Sequence, residues 1–188
     1  INLEKNIIKW YDEHKIVGHF ELANLEHTDK YIVCRSLVSN QELLRKISNE
    51  IYTVQKKILG HEIHQILAVG TSAIPIAINT AYRFSPCTVT FTFSEYKSKY
   101  LNLDNNQEET RNHKYNKFEV LPIIDKTKSV LIIDDIISGG IVAKDIIERY
   151  LVGVKEIFHH SILKLGIERS YSWHKGISDY QWIVHIPD

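Results

Sequence analysis

Two adjacent carboxylates followed by a turn of small residues form the stretch of this chain best suited to chemistry. Asp134 and Asp135 end an apolar run at 130–133, and a Ser-Gly-Gly turn follows at 138–140. An uninterrupted apolar run predicts a strand buried on both faces, which is typical of a parallel sheet. Helical spacing of apolar residues resumes at about 142–150. The stretch therefore predicts a site at the carboxyl end of a parallel strand.

Each part of this predicted site has a chemical use. Glycine tolerates positive φ and lets a ligand approach the backbone amides closely. The N–H groups that open a helix, together with the helix dipole, attract anions such as phosphate. Asp134 and Asp135 can accept hydrogen bonds from sugar hydroxyls or hold a divalent cation. A site that binds phosphate at one end and a sugar diol at the other would suit a phosphorylated ribose.

A second strand–loop–helix unit precedes the first. Residues 65–69 form another short apolar run, and the loop Gly70-Thr71-Ser72 follows it. Pro75 suits the first turn of the next helix, where its missing N–H costs nothing. This loop can offer two amides and two hydroxyls to an anion.

Both loops resemble those of a known family. The segment 132–140 resembles the motif by which the type I phosphoribosyltransferases bind phosphoribosyl pyrophosphate (PRPP): apolar residues, two acids, two apolar residues and a Thr/Ser/Gly-rich loop. The segment 69–77 resembles the pyrophosphate loop of the orotate phosphoribosyltransferases, including the Ala-Leu-Pro-Leu-Ala form of some of them. Two such loops in the expected order identify the chain as similar to this family, and most similar to its orotate enzymes.

The resemblance implies roles for individual residues. Asp134 and Asp135 would hold the ribose hydroxyls and Mg²⁺, the following loop would hold the 5′-phosphate, and Thr71 and Ser72 would face the pyrophosphate. The PRPP-binding residues implied in this way are Thr71, Ser72, Asp134, Asp135, Ile136, Ile137, Ser138, Gly139, Gly140, Ile141 and Val142.

A long polar segment is the expected position of a catalytic lysine. Residues 94–117 are predominantly polar, and a loop of this length is typical of a lid or a disordered segment. Glu95-Tyr96-Lys97 resembles part of the family's catalytic loop. Lys97 is therefore the expected catalytic lysine, with Lys99 as a possible substitute, acting together with Asp134 and Asp135. A solvated loop without a catalytic part is the alternative.

The base site is expected from three scattered residues. The N-terminal segment resembles the hood of orotate phosphoribosyltransferases through Phe20-x-Leu22, His27-Thr28-Asp29, Tyr31 and Arg35. The family places a base-binding residue just after the strand that here spans about 156–163. Phe20, Lys164 and Arg169 are accordingly the expected base-binding residues.

The whole pattern predicts an α/β fold: a doubly wound, mostly parallel sheet flanked by helices, with a small N-terminal hood. We expect a single domain over 1–188, with the hood at 1–38, the core at 39–188 and a flexible loop around 94–117. Asn2 is expected to cap a helix that ends near His14, and Ser39 to open a capping box for the next long helix. Residues 18–35 predict a hairpin whose second strand spans 31–34, and 179–187 predict an edge strand.

Composition excludes several classes of function. The 23 basic and 23 acidic residues balance, so no overall charge favours nucleic acid or an anionic membrane. We found no apolar run long enough to span a bilayer and no signal peptide. Cys34 and Cys87 are expected to be free thiols in a reducing cytoplasm, and the ten histidines show no metal-ligand spacing.

The expected activity is PRPP-dependent transfer of ribose 5-phosphate to a nucleobase, with orotate favoured, as in pyrimidine nucleotide synthesis. The resemblance also implies Mg²⁺, PRPP and nucleobase substrates, and a homodimer. The phosphate loop lacks the family's threonines, which leaves open a diverged protein that binds PRPP or a nucleotide as a sensor or interaction module. An aromatic C-terminal tail leaves open a purine salvage enzyme.

Overall fold

The computed structural model describes residues 2–21, 27–59, 63–95, 116–121, 123–166 and 176–187. These residues form five helices and eight strands. The helices are α1 (Leu3–His14), α2 (Arg35–Ser39), α3 (Gln41–Leu59), α4 (Ala73–Ala81) and α5 (Ile141–Tyr150). The strands are β1 (Ile16–Glu21), β2 (His27–Tyr31), β3 (Gln65–Val69), β4 (Thr88–Glu95), β5 (Asn116–Leu121), β6 (Val130–Ile137), β7 (Ile157–Leu165) and β8 (Asp179–Ile186).

Six strands form the main sheet in the order β5-β4-β3-β6-β7-β8. All neighbouring pairs are parallel except β4 and β5, so five parallel strands carry one antiparallel strand at an edge. The pair β1 and β2 forms a separate antiparallel hairpin, which is the predicted hood. The predicted α/β fold with a mostly parallel sheet is confirmed, and β8 is an edge strand as expected.

Two hydrophobic clusters cover the two faces of the sheet. One joins α1, α3 and α4 to residues such as Leu131 and Ile133 of β6. The other joins α5 to Val130 and Ile132 of the same strand. Alternate residues of β6 thus face opposite layers, and all four of these side chains are 0% exposed. Residues 130–133 of β6 are all apolar because both faces of this part of the strand are covered.

The connections of β3 and β6 run in opposite directions across the sheet. The chain passes from β3 through α4 to β4 on one side, and from β6 through α5 to β7 on the other. Because α4 and α5 also cover opposite faces, the segments that follow β3 and β6 diverge beyond the last paired residues of these strands. Open α/β sheets bind ligands in such a crevice.

Several local expectations need correction. The second hood strand is His27–Tyr31, where we expected a polar turn, and the predicted strand at 31–34 is wrong. Asp29, Lys30 and Tyr31 are all exposed, so this strand has no alternating apolar pattern by which to recognise it. The antiparallel strand β5 was not predicted.

Helix capping was predicted correctly at one helix and not at another. The Asn2 side chain accepts a hydrogen bond from the Glu4 N–H at 3.0 Å, as expected for the start of α1. At α3 the capping residue is Asn40, whose Oδ1 accepts from the Leu43 N–H at 3.0 Å. Ser39 instead ends α2, and its hydroxyl donates to the Ser36 carbonyl. The extra turn of helix before α3 displaces the cap by one residue.

Other expectations concern the whole chain. Cys34 and Cys87 are free thiols, as predicted. Within the described ranges, no helix combines the length and the apolar character that crossing a membrane requires.

Gln65, at the start of β3, holds the segment that leads into β6. Its amide donates to the Asp125 carbonyl at 2.8 Å and accepts from the Asp125 N–H at 2.7 Å. Replacing Gln65 with leucine removes the hydrogen-bond partners of both the Asp125 carbonyl and the Asp125 N–H. We expect the unfolding free energy to fall by about 1–3 kcal/mol. Urea denaturation measures the unfolding free energy. The control is Gln41→Leu at an exposed position, which should change the unfolding free energy by less than about 0.5 kcal/mol. Equal effects of the two substitutions would contradict this role.

Candidate active site

The two predicted loops lie next to each other. Val69, the last residue of β3, pairs with Asp134 of β6 in parallel register. The loop at 70–72 and the segment 135–140 therefore leave the same edge of the sheet from adjacent strands. The structure brings the acidic pair and the two predicted phosphate loops together.

The two carboxylates differ in their surroundings. Asp134 is 7% exposed, whereas Asp135 is half-buried. The Oδ1 atom of Asp135 accepts the Ile136 N–H at 2.8 Å, and a contact with the Ser72 hydroxyl lowers the pKa of this carboxylate. Ser72 comes from the first loop, so this contact joins the two loops directly.

Burial changes the acidity of both groups. Desolvation raises the pKa of Asp134 well above its usual value, and the neighbouring charge of Asp135 raises it further. Desolvation also raises the pKa of Asp135, while the hydrogen bond from the Ile136 N–H opposes that rise. Asp135 is thus the better placed of the two to act as an ionised acceptor for a ligand.

Cys34 joins this cluster, a contact that we did not predict. The residue precedes α2 and is 2% exposed. Burial, together with the nearby carboxylates of Asp135 and Asp134, raises the pKa of its thiol far above the usual value. The segment that leads out of the hood therefore contacts the acidic pair. Only its position next to Arg35 of the hood motif could have indicated this contact.

The loop after β6 is shaped for close backbone approach. Gly140 has φ of 68°, a left-handed conformation that favours glycine, and it is the residue that precedes α5. No side chain caps this helix. The N–H groups of its first turn have no partner within the helix, so they can receive an anion. Ser138 is exposed, whereas both glycines are buried.

The loop after β3 is supported by a residue of β4. Gly70 has φ of 77°, and its N–H lies 3.3 Å from the Thr92 hydroxyl oxygen. The Thr92 hydroxyl in turn donates to the Ala68 carbonyl at 3.1 Å. Thr71 is exposed and Ser72 is buried, and no side chain caps α4. Thr92 was not among the predicted site residues, although alternate threonines in its strand indicate a shared face.

The remaining predicted PRPP-binding residues contribute through their backbone. Ile136 packs against the cluster on the α3 side, and Ile137 packs with Ala143 at the start of α5. Ile141 and Val142 are the first two residues of α5. Their side chains therefore need not contact a phosphate for the prediction to hold.

The predicted base-binding residues lie in different places. Lys164 of β7 pairs with Ile137 and is 7% exposed, and its ammonium nitrogen lies 4.1 Å from the centroid of the Trp182 ring. Phe20 is half-buried in the hood, with its ring centroid 5.5 Å from that of Tyr31. Lys97, Lys99 and Arg169 lie outside the described residues. The roles of all five remain predictions.

The acidic pair suits a magnesium ion only in part. Across the described segments, no group of three or more His, Cys, Asp or Glu side chains is arranged to hold a metal. Mg²⁺ is commonly bound through one or two carboxylates and substrate phosphates rather than by a complete protein cage. The half-buried Asp135 carboxylate beside the Ser72 hydroxyl fits that second arrangement.

No protein-family model matches the chain, and no curated protein sequence does. Solved structures do. The UMP synthase of Leishmania donovani matches with TM-score 0.65 and 18% identity, over 98% of this chain and 36% of that chain. This chain therefore spans little more than a third of that protein. The orotate phosphoribosyltransferase of Aeropyrum pernix matches with TM-score 0.65 and 16% identity, over 98% of this chain and 93% of that chain.

An adenine phosphoribosyltransferase of Trypanosoma brucei, solved with AMP, pyrophosphate and ribose 5-phosphate, matches with TM-score 0.62 and 15% identity, over 95% of this chain and 79% of that chain. The chain has the fold of the type I phosphoribosyltransferases. The resemblance inferred from the two motifs is confirmed at the level of the fold. Both orotate and adenine enzymes share this fold, so the fold does not select the base.

The buried Asp134 carboxylate is expected to destabilise the protein at neutral pH. Because its folded-state pKa is raised above the unfolded value of 3.8, its contribution is most favourable below pH 3.8 and is lost as pH rises through the folded-state pKa. Asp134→Asn should raise the unfolding free energy near pH 7.5, by about 1.4 kcal/mol for each unit of raised pKa. The gain should shrink toward pH 4. Asp12→Asn, on the surface of α1, is the control, and a loss of stability in Asp134→Asn would contradict the expectation.

The Cys34 thiol is expected to resist alkylation in the folded protein. It is buried and its pKa is raised, so little thiolate is available to react. In a Cys87→Ser background, iodoacetamide at pH 8 should label Cys34 on the order of a hundredfold more slowly than after denaturation. Mass spectrometry measures the rate. Equally fast labelling of the native protein would show that the thiol is not held against the acidic pair.

Proposed function

We propose that this chain transfers ribose 5-phosphate from PRPP to a nucleobase and releases pyrophosphate, with orotate as the favoured acceptor. One arrangement carries the proposal: two helices without side-chain caps begin beside each other at the carboxyl ends of β3 and β6, with an acidic pair between them. This arrangement offers two anion sites and a diol acceptor at the spacing of adjacent strands. PRPP has a phosphate, a diol and a pyrophosphate in that order.

In this proposal each group of PRPP has a partner. The N–H groups around Gly140 and the first turn of α5 bind the 5′-phosphate. Asp135 accepts the ribose hydroxyls, supported by Ser72 and by the Ile136 N–H. Thr71 and the amides after Gly70 face the pyrophosphate. The rigid strand ends position these groups before the substrate arrives.

Positioning and charge stabilisation are the chemistry that such a site supplies. The bond from ribose C1 to the pyrophosphate oxygen breaks, its electron pair leaves with pyrophosphate, and a base nitrogen forms the new bond to C1 and loses its proton to the departing pyrophosphate or to water. The sugar passes through an oxocarbenium-like transition state of the kind known for glycosyl transfer. The amides and hydroxyls of the first loop stabilise charge on the departing group. Asp135, with Asp134 beside it, would hold Mg²⁺ together with the substrate, and the ion would neutralise part of the pyrophosphate charge.

Further parts of the proposal rest on the family resemblance. Lys97 or Lys99 would approach the leaving group, while Phe20, Lys164 and Arg169 would contact the base. We also propose a homodimer, a single domain and a cytoplasmic location, the last consistent with two free cysteines. The preference for orotate rests on the resemblance of the two motifs and the hood segment, because orotate and adenine phosphoribosyltransferases are both among the structures that match.

A second candidate function is binding of PRPP or a nucleotide without turnover. The loop at 138–140 offers one exposed serine and no threonine, so a phosphate there would depend mainly on backbone amides. Losing two hydroxyl donors to a charged group at about 1.5 kcal/mol each would weaken binding by roughly a hundredfold or more. A sensor that responds only to high PRPP concentrations is compatible with that loss.

Measuring pyrophosphate release separates these candidates. The protein is mixed with PRPP, Mg²⁺ and one base at a time: orotate, uracil, adenine, hypoxanthine, guanine or xanthine. Release with orotate alone is the expected result. Release only with a purine would assign a salvage enzyme, and PRPP binding without release would favour the sensor. Absence of PRPP binding would overturn the transferase and the PRPP sensor, and would leave only a protein that binds a nucleotide.

Asp135 is expected to be essential for PRPP binding. Asp135→Asn replaces a charged acceptor of the ribose hydroxyls with a neutral one, and the PRPP affinity should fall about 10- to 100-fold. Isothermal titration calorimetry with Mg²⁺ measures the affinity. Asp12→Asn, the control, removes a surface carboxylate that pairs with Lys15, and it should leave the PRPP affinity unchanged. Unaltered binding in Asp135→Asn would exclude the ribose-binding role.

A further inference from the structure

Thr92 is the side chain through which β4 contacts the loop after β3. Its hydroxyl oxygen accepts from the Gly70 N–H at 3.3 Å, and the same hydroxyl donates to the Ala68 carbonyl at 3.1 Å. Thr92 is only 3% exposed. A hydroxyl can form this bridge because its single oxygen both donates and accepts. One buried atom therefore joins the end of β3 to the first residue of the loop at 70–72.

This contact comes from the face of the sheet that α4 does not cover. Val89 and Phe91 of β4 pack against the cluster that contains α4. Because successive side chains of a strand point to opposite faces, Thr90 and Thr92 lie on the other face. Packing of α4 restrains the loop from one side, and the Thr92 hydroxyl restrains it from the other.

The restraint acts on the residue of this loop with the greatest conformational freedom. Gly70 has φ of 77°, a conformation that glycine adopts readily but that it must be held in. A Cβ atom at this position would meet none of the described atoms within 4 Å, so the backbone angle rather than crowding favours glycine there. The hydrogen bond from the Gly70 N–H to Thr92 supplies a fixed orientation that the residue type does not.

The same hydrogen bond decides which amides of the loop can face a ligand. The Gly70 N–H is engaged by Thr92 and is not available to an anion. The next N–H groups belong to Thr71, Ser72 and Ala73, at the start of a helix without a side-chain cap. Their directions follow from the backbone angles of Gly70. Fixing Gly70 therefore fixes the donors that follow it, although Thr92 itself need not touch the ligand.

We propose that Thr92 is a positioning residue for pyrophosphate, acting through Gly70. The proposal rests on the proposed function, since it takes the loop at 70–72 as the pyrophosphate site. It adds that the two anion sites have separate supports. The loop expected to bind the 5′-phosphate follows a different strand, β6, so removing the Thr92 hydroxyl should leave that loop in place.

The test compares two ligands that would each occupy one anion site: pyrophosphate with Mg²⁺, and ribose 5-phosphate. Isothermal titration calorimetry of the full chain measures both affinities. Thr92→Val keeps the shape of the side chain and removes its hydroxyl, so pyrophosphate should bind about tenfold more weakly. The affinity for ribose 5-phosphate should change by less than about twofold. Thr92→Ser keeps the hydroxyl and should restore binding of pyrophosphate.

Thr90→Val is the matched control. Thr90 lies two residues earlier on the same face of β4, is 1% exposed, and has a hydroxyl without a hydrogen-bond partner among the residues that the structure describes. Its substitution removes an equally buried hydroxyl that does not contact Gly70, so both affinities should match those of the wild type. Equal losses of pyrophosphate affinity in Thr90→Val and Thr92→Val would overturn the positioning role. Equal weakening of both ligands in Thr92→Val would overturn it as well, because the effect would then be general.

The wild-type titrations distinguish failure of this proposal from failure of the proposed function. If the wild type binds both ligands and Thr92→Val binds pyrophosphate with unchanged affinity, the positioning role is overturned while the site stands. If the wild type binds neither ligand, the proposed function is overturned, and the role of Thr92 with it.

Discussion

The parallel register between β3 and β6 is the constraint on which the candidate site depends. Pairing Val69 with Asp134 sets two loops side by side, and the opposite directions of α4 and α5 then open a crevice between them. Neither loop alone would recognise more than an anion. Together they supply two groups of backbone donors with a carboxylate between them, and the proposed binding of a sugar with phosphates at both ends rests on this combination.

Holding two adjacent carboxyl groups at the end of a buried strand has an energetic cost. Asp134 is almost fully enclosed, so its charge is poorly solvated, and the contacts from Ser72, Cys34 and the Ile136 N–H concentrate on Asp135. One acid of the pair is thus oriented and partly accessible, while the other is disfavoured as an ion. His160, on the neighbouring strand, is likewise held neutral by burial. Asp135, the more exposed carboxylate of the pair, lies near the carboxyl end of β6, where the crevice opens.

Sequence patterns predicted those parts of the fold whose local signals agree with their tertiary role. The strands β3 and β6, the helices that follow them and the Asn2 cap were predictable because apolar runs, glycines and a capping side chain occur at the required positions. The strand β2 was not, because its residues are polar and exposed and form a strand only by pairing with β1. The strand β5 depends in the same way on its antiparallel partner β4. The Ser39 cap failed because a short helix occupies its position.

The candidate site was predictable in its residues and less so in its contacts. Motif spacing singled out Ser72, Asp134 and Asp135, and the register of β3 and β6 brings the two loops that carry them together, while their roles remain predictions. The approach of Cys34 to Asp135 arises from the path of the chain between the hood and α2, which no local pattern specifies. Support of Gly70 by Thr92 likewise depends on the pairing of β3 with β4.

The left-handed backbone of Gly140 limits how this loop can change. At φ of 68° any residue with a Cβ atom is strained, so position 140 cannot regain a hydroxyl side chain without distorting the turn that opens α5. New donors for a phosphate would have to arise before this residue. Selection for tighter anion binding would therefore act on the two preceding positions, while position 140 would stay glycine as long as α5 begins where it does.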